Sequence, residues 1–365
     1  MREGGLIQLC AGRYFQGEGT LTQLGPEALR LGRRALVLAD ANVWEKARPG
    51  IEASLGRHQI AFEPMLFSGH CCPKNYKAAA QAGLAFGADC VIGVGGGRAI
   101  DTAKIASDLL GVRCITVPTS AATCACSAWL SVHYTDGGDF VGNYWTSYPP
   151  FAALADLKLI LGDCPPRYNL AGVVDAMAKY PEIMYNIRYS DQWEKNAFSD
   201  TALTLAHSIF RRYIDHEEQL FTALRAGLAE PFIEDCLCAA MQLTGVVSSM
   251  ACGGKQAAIS HTLYSYFCCH QPALAQKFLH GELVGASLIY QLLVNEAPQK
   301  EVAELAGFLR AAGMPASLQQ LGLDYTPALA DKLFGFIQLH MPIATEEEMA
   351  RLRGWEQALF EGYRE

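Results

Sequence analysis

Two architectures in series are predicted: an α/β domain built on a parallel sheet over residues 1–164, then an all-α domain over residues 165–365. Three observations carry this. Short apolar runs alternate with helical patterns through the first part, the order that builds parallel strands joined by crossover helices. One of those runs breaks into three consecutive glycines just before a helical pattern begins. After Cys164-Pro-Pro-Arg167 the strand-like runs stop, and apolar residues recur with helical period to the C-terminus. A chain of 365 residues is also long for one core.

Taken in order, Ala35-Leu-Val-Leu-Ala39 is an apolar run ending in Asp40, and Ile60-Ala-Phe-Glu-Pro-Met-Leu-Phe67 is a weaker one. Cys90 to Val94, Cys114-Ile-Thr-Val117, Leu130-Ser-Val-His-Tyr134 and Phe151-Ala-Ala-Leu-Ala155 are further strands. Helical patterns fall between them, from Val43 to Leu55, Asn75 to Phe86 and Ala99 to Leu110. The second part offers helices from Asn196 to Tyr213, Phe221 to Leu228, Phe232 to Met250 and Glu301 to Ala312. No internal repeat interrupts this order. In open parallel sheets, ligands bind beyond the carboxyl ends of the strands. Asp40, Gly95 to Gly97 and Pro118-Thr119-Ser120 all fall on that edge.

The stretch Cys90-Val-Ile-Gly-Val-Gly-Gly-Gly-Arg-Ala-Ile-Asp-Thr-Ala-Lys104 is a strand, a glycine turn and a helix start. Glycine removes the Cβ that would block a phosphate, and the helix start presents free N–H groups and the positive end of its dipole. A tight turn without any ligand uses the same residues, so this motif leaves both readings open. The turn lacks the Gly-Lys-Ser/Thr ending of a nucleotide hydrolase.

Composition narrows the partners. Hydrophobic residues make up 51% and charged residues 18% of the chain, as in a well-packed globular protein. The net charge is −8 with no basic run, which argues against nucleic acid or an anionic membrane surface. No segment approaches the ~18 uninterrupted apolar residues of a membrane span. The opening Met1-Arg-Glu-Gly-Gly-Leu6 lacks the apolar core of a secretory signal, so a cytoplasmic protein is expected. Thirteen cysteines are scattered through apolar segments (Cys90, Cys114, Cys236, Cys238, Cys252), where reduced thiols act as small hydrophobes. The vicinal pairs Cys71-Cys72 and Cys268-Cys269 could bind a soft metal, but no Cys-x-x-Cys repeat at zinc-ribbon spacing supports structural zinc.

Three residues of the helical part stand out: Asp175 in Ala171-Gly-Val-Val-Asp-Ala-Met-Ala178, His261 in Ile259-Ser-His-Thr-Leu263, and His280 in Phe278-Leu-His-Gly-Glu-Leu-Val-Gly285. Each lies in an apolar segment, where an unpaired polar side chain costs about 1–3 kcal/mol. Taken singly, each is a candidate hydrogen-bonded core residue. Together they make a mixed nitrogen and oxygen set suited to one divalent ion, zinc or iron.

With these residues assembled, the chain resembles the iron-containing alcohol dehydrogenase superfamily, and within it the glycerol dehydrogenase branch. The anchors are Gly12-Arg-Tyr-Phe-Gln-Gly17, Arg34-Ala-Leu-Val-Leu-Ala-Asp40, Gly93-Val-Gly-Gly-Gly-Arg-Ala-Ile-Asp-Thr-Ala-Lys104, Val117-Pro-Thr-Ser-Ala-Ala-Thr123, Leu130-Ser-Val-His-Tyr134, the Asp175 segment and His280-Gly-Glu282. The resemblance implies an N-terminal dinucleotide-binding α/β domain, a C-terminal helical metal-binding domain of the dehydroquinate synthase-like and glycerol dehydrogenase-like kind, and an active site in the cleft between them. It puts Gly96, Gly97, Arg98 and Asp101 at a pyrophosphate. Thr119, Ser120, Leu130 and Tyr134 fall on the nicotinamide side, and Asp40 on the adenosine ribose. A carboxylate at Asp40 repels a 2′-phosphate and so favours NAD over NADP; the competing role for Asp40 is a helix N-cap. Asp175, His261 and His280 fall on the branch's metal-ligand positions, with the two histidines 19 positions apart, slightly more than the branch usually shows. The resemblance therefore implies a metal-dependent, NAD(P)-linked oxidoreductase for a small alcohol, acting as a homo-oligomer.

The chain also departs from the branch. Cys124, in Ala121-Ala-Thr-Cys-Ala125, stands where glycerol dehydrogenases place a substrate-binding aspartate. Without that carboxylate the pocket suits an anionic substrate better, as in the hydroxycarboxylate dehydrogenase offshoot that reduces 2-oxo acids; a space-filling Cys124 is the alternative. Val174 replaces a usual glycine, Lys179-Tyr-Pro-Glu-Ile183 replaces a usual Trp/Tyr-Glu-Ala, and Pro181 should kink or end its helix. Tyr264 takes the place of a second histidine, and Ser265-Tyr266 stands in place of Asn-Gly. Beside a 2-hydroxy acid or a glycerol-like polyol, two other outcomes stay open. One is a glycerol-phosphate dehydrogenase with Lys179 or Lys255 at the phosphate; the other is a catalytically silent NAD-binding protein.

Overall fold

The computed structural model describes residues 8–190, 193–251, 258–341 and 345–363. The expectations for Met1 to Leu6, Cys252 and Lys255 lie outside the described residues. Contacts group the chain into two compact units, residues 1–169 with 223–249, and residues 170–222 with 250–365.

The first unit holds β1 (Tyr14–Gly17), α1 (Leu24–Leu29), β2 (Arg34–Asp40), α2 (Trp44–Arg57), β3 (Ala61–Phe67), α3 (Pro73–Phe86), β4 (Cys90–Gly95), α4 (Gly97–Leu110), β5 (Arg113–Pro118), β6 (Leu130–Tyr134), β7 (Phe140–Trp145) and β8 (Ala152–Asp156). Six of the strands form one parallel sheet in the order β1-β8-β5-β4-β2-β3. Its two faces explain the unbroken apolar runs. Ala35, Val37 and Ala39 of β2 pack with Ala47, Ile51 and Leu55 of α2. Leu36 and Leu38, pointing the other way, pack with Ala79 of α3 and with Ala99, Ala103 and Ala106 of α4. A strand buried on both faces has no position for a polar residue. Each large aliphatic side chain buried there contributes about 1.5–3 kcal/mol.

Leu130–Tyr134 is a strand as expected, but it does not belong to the parallel sheet. It pairs antiparallel with β7, with an irregularity at His133/Tyr134. The turn Asp136-Gly137-Gly138 closes this hairpin, with Gly138 at φ 94°, and Thr135 N–H bonds Asp139 O at 2.7 Å. Two strands carry too little signal to be expected from the sequence: β1 is four residues long and half-buried throughout, and β7 alternates without strong apolar character.

The sequence places one division at 164/165, whereas contacts also gather residues 223–249 into the first unit. That block carries α8 (Pro231–Cys238), a π-helical turn (Ala239–Leu243) and most of α9 (Thr244–Met250), after α7 (Glu217–Ala226). Side-chain hydrogen bonds tie it down: Gln16 Nε2 donates to Glu234 O at 2.7 Å and Gln242 Nε2 to Ala11 O at 3.2 Å.

The second unit is helical among its described residues: α5 (Pro166–Tyr189, entering from the first unit), α6 (Ala197–Asp215), α10 (Ile259–His270), α11 (Pro272–Lys277), α12 (His280–Gly285), α13 (Leu288–Val294), α14 (Gln299–Ala312), α15 (Pro327–His340), α16 (Glu346–Gly354) and α17 (Glu356–Glu361). Its core is aromatic and aliphatic, with Tyr185, Phe267, Tyr290, Phe334 and Phe360 all buried. α5 does not end at Pro181 but continues for eight further residues to Tyr189. Around the interruption, Asn295 Nδ2 donates to Pro181 O at 2.7 Å and Asn186 Nδ2 to Glu182 O at 2.7 Å. Pro181 withholds an N–H from Met177 O, and the two amides instead add side-chain donors to the carbonyls of Pro181 and Glu182 beside that gap. No helix of the described residues is long and apolar enough to cross a membrane, and the twelve described cysteines are free thiols.

Candidate functional site

The glycine turn lies at the carboxyl edge of the parallel sheet, as the order of elements requires. Gly95 closes β4 at φ +143°, and a Cβ there would come within 2.9 Å of Asp40 Cβ on the neighbouring strand. Thr119, at the end of β5, donates its N–H to Gly95 O at 3.1 Å. Asp40, Gly95, Gly96 and Thr119 therefore share one edge. Ser120 is half-buried next to them, held by the bond of Ala121 N–H to Asn169 Oδ1 at 2.9 Å.

Gly96 is the N-cap of α4, a helix of 14 residues, and no side chain caps it. The first N–H groups of that helix, from Gly97 and Arg98 onward, point outward with the positive end of the dipole behind them. A Cβ on Gly96 would meet nothing within 4 Å, so no neighbour in the protein requires glycine there. A bare position at an uncapped helix start leaves room for a phosphate. Gly96→Val is accordingly expected to weaken binding of any phosphate-bearing ligand at this helix start at least about tenfold in a titration. The melting temperature should stay within about 2 °C of wild type, because the added side chain enters open space.

Asp40 is half-buried and does not cap α2, whose N-cap is Val43. Its Oδ1 accepts from Asn42 N–H at 2.9 Å and from Asn42 Nδ2 at 3.0 Å. Arg98 is exposed at the start of α4. Asp101, by contrast, is buried. It pairs with Lys104 at 2.9 Å and accepts from Val132 N–H at 3.1 Å. Lys104, 2% exposed, donates to Ala125 O at 2.9 Å, Ala128 O at 3.1 Å and Leu130 O at 2.5 Å. The pair thus clamps the segment that carries Cys124 and the start of β6 onto the helix after the glycine turn. Cys124 opens a short 3-10 turn, half-buried, and Tyr134 bonds Cys71 O through its N–H at 2.8 Å.

In the second unit, Asp175, His261 and His280 come together. His261 Nε2 and His280 Nε2 each lie 3.1 Å from Asp175 Oδ1, and the three side chains can place one donor atom each within 4.8 Å of one another. Asp175 is in mid-α5 and buried, His261 in the first turn of α10, and His280 at the first position of α12. A close approach of backbones sets this up. A Cβ on Gly281 would fall 1.8 Å from Ala171 O, one turn before Asp175. Glu282 Oε2 accepts Leu279 N–H at 2.8 Å and fixes how the chain enters α12. Val174 is fully buried, with Cγ1 2.9 Å from where a Cβ on Gly285 would lie, so it fills the space that this glycine leaves. Tyr264 sets its ring edge-on to His280 with centroids 4.2 Å apart.

Glu182, which sequence reasoning does not single out as a site residue, holds the centre from behind. Its Oε1 accepts from His261 Nδ1 at 2.7 Å and from His261 N–H at 3.2 Å. Although burial opposes it, the charge of His261 and of Lys179 holds the Glu182 carboxyl below its ordinary range. Burial likewise opposes ionisation of Asp175, yet its two imidazole partners hold it well below the carboxylate range. Burial pulls the His261 pKa down and Lys179 adds to that, but Glu182 and Asp175 raise it above 6.5.

This arrangement fits a cation. An ionised Glu182 has no proton to give, so His261 Nδ1 is the donor. In the neutral imidazole, Nε2 is then a bare acceptor facing the Asp175 carboxylate. A divalent ion there would take the Asp175 carboxylate and the Nε2 lone pairs of both histidines, and a carboxylate behind a liganding histidine is the usual way to orient it. Glu182→Gln keeps the shape and removes the charge; metal affinity, measured by chelator competition, is expected to fall about 10–100-fold.

The signal for Glu182 was present: a carboxylate seven positions after Asp175, two helical turns on along the same face of an apolar helix. Lys104 carried a similar one, a charge three positions after Asp101 on an otherwise buried helix.

Known proteins agree with this architecture. Residues 11–156 match the iron-containing alcohol dehydrogenase family. The glycerol dehydrogenase of Pseudomonas putida is 30% identical over 90% of this chain and 88% of its own; that of Escherichia coli is 30% identical over 86% and 83%. The crystal structure of glycerol dehydrogenase from Schizosaccharomyces pombe shares the fold, with a TM-score of 0.80 at 20% identity over 99% of this chain and 94% of that one. The chain belongs to the iron-containing alcohol dehydrogenase family, in its glycerol dehydrogenase-like branch.

Proposed function

We propose that this chain is a metal- and NAD(H)-dependent oxidoreductase acting on CH–OH groups, interconverting a small secondary alcohol and its ketone. The convergence of Asp175, His261 and His280, with Glu182 behind His261, carries this reading. A divalent ion held by those three would polarise a carbonyl or stabilise an alkoxide. The nicotinamide would accept hydride from the alcohol carbon or return it to the ketone, one proton being released per alcohol oxidised.

The chain's own residues supply the rest. The edge formed by Gly95, Gly96 and the start of α4 binds the diphosphate through backbone N–H groups and the helix dipole. Asp40 lies beside that edge, and its carboxylate favours a free ribose hydroxyl over a 2′-phosphate, hence NAD. Thr119 and Ser120 continue that edge and would hold the nicotinamide side of a bound dinucleotide. Asp101 and Lys104 act one step back, fixing the Cys124 and Leu130 segment. Glu182 keeps His261 in the tautomer that presents Nε2.

Initial rates of the metal-reconstituted chain test the proposal, NADH with 2-oxobutanoate against NAD⁺ with glycerol. Turnover of either pair supports it, and the ratio assigns the substrate. A chain that binds metal and NAD⁺ yet turns over no small alcohol or ketone is the silent nucleotide-binding protein instead.

A further inference from the structure

The hairpin of β6 and β7 has two outer edges, and among the described residues only one of them is closed. Along an antiparallel pair, alternate residues turn their N–H and C=O toward the partner strand, and the rest turn them outward. Thr146 N–H bonds Trp129 O at 3.2 Å, which fixes the phase. The outward residues of β6 are Leu130 and Val132, with Tyr134 beyond the irregularity. Each is met there. Lys104 donates to Leu130 O, Val132 N–H donates to Asp101 at 3.1 Å, and Tyr134 N–H to Cys71 O at 2.8 Å.

Opposite Leu130 and Val132 in register stand Trp145 and Asn143. By the same alternation their backbone groups face outward on β7, and no described residue bonds them there. Both residues are exposed. Native edges are blunted by a charge, by proline or by a covering element. Phe140-Val-Gly-Asn-Tyr-Trp145 carries neither charge nor proline, and Val141 and Tyr148 beside the open groups are exposed too.

The charges at its two ends identify what closes this edge. Asp139 is exposed at the start of the strand. Arg113 lies at its end, 4.8 Å from the Tyr148 ring and donating to Pro149 O at 3.1 Å. The acid at that end, Asp108, already accepts from Tyr144 OH at 2.9 Å and from Ser147 N–H at 2.8 Å. An antiparallel copy of the same strand brings the Asp139 end of one chain to the Arg113 end of the other, twice over.

We propose that β7 is a self-association edge, on which a second copy of this chain pairs its own β7 antiparallel across a two-fold axis. Asn143 of each chain lies opposite Trp145 of the other, each such pair exchanges two N–H···O bonds, and Tyr144 falls on the axis. The two hairpins become one four-stranded antiparallel sheet. This pairing does not depend on the reading of the metal centre, so either can fail without the other.

The mass of the full chain in solution, from light scattering on the eluted protein, tests it. The wild type is expected at an even multiple of the chain mass. Asn143→Lys, which sets an ammonium against the facing strand in each copy, is expected at half the wild-type mass or less. Its circular dichroism should match wild type, because Asn143 is exposed and its outward N–H serves no bond within the hairpin. Gln81→Lys makes the same charge change on an exposed position of α3 and should keep the wild-type mass. Hydrogen exchange on the wild type is a second measurement, independent of any variant: the amides of Asn143 and Trp145 are expected to be protected. A monomeric wild type overturns the proposal, as does an unchanged mass for Asn143→Lys. It is likewise overturned if Gln81→Lys lowers the mass as much, or if both amides exchange freely in the wild-type assembly.

Discussion

Asp175→Asn is expected to lose the metal and the turnover together. Asparagine matches the shape of aspartate, so the contacts of α5 with its neighbours survive, but the negative charge between His261 and His280 is gone. Two neutral imidazoles alone hold a divalent ion poorly. Metal catalysis contributes several kcal/mol at the reacting oxygen, so kcat/KM is expected to fall by about three orders of magnitude or more. Metal analysis of the purified variant and its initial rates check this. A variant that keeps stoichiometric metal and wild-type rates would remove Asp175 from the site.

Gly281→Ala is expected to have the largest effect on stability. The new methyl would be placed 1.8 Å from Ala171 O, and both atoms belong to backbones, so no side chain can turn aside to make room. Overpacking of this kind costs about 3 kcal/mol. Because His280 is the neighbouring residue, the shift that relieves the clash also moves its imidazole, and on the proposed reading metal affinity should fall with the melting temperature. Gly307→Ala in α14 is the control: a Cβ there meets nothing within 4 Å, and a glycine removed from a helix interior should stabilise by about 0.5–1 kcal/mol. Equal melting temperatures for the two variants would show that α12 and α5 do not depend on their close approach.

The strands of the parallel sheet were legible because burial on both faces leaves only apolar residues, as in Ala35 to Ala39. The glycine turn and the three residues of the candidate centre were legible for the opposite reason: polar or bare positions inside apolar segments have to be accounted for. Other features needed the third dimension. Leu130–Tyr134 has strand character, but its partner across the Asp136-Gly137-Gly138 turn decides that it forms a hairpin rather than a sheet strand. Pro181 looked like a helix end; Asn295, more than a hundred residues away in sequence, supplies a donor at that point. Asp101 sits in the glycine motif, which suggested a phosphate contact. Its pairing with Lys104 and Val132 makes it part of a brace for the segment that carries Leu130. The spacing of Glu182 from Asp175 was readable, but its partner was not, since that depends on where α10 places His261.

Anomalous diffraction from crystals of the metal-loaded chain, recorded at the zinc and iron edges, tests the central claim most directly. The expected result is one peak bonded to the Asp175 carboxylate, His261 Nε2 and His280 Nε2, at about 2.0–2.2 Å from each. An ion bound elsewhere, with these three side chains still bonded only to one another, would contradict it.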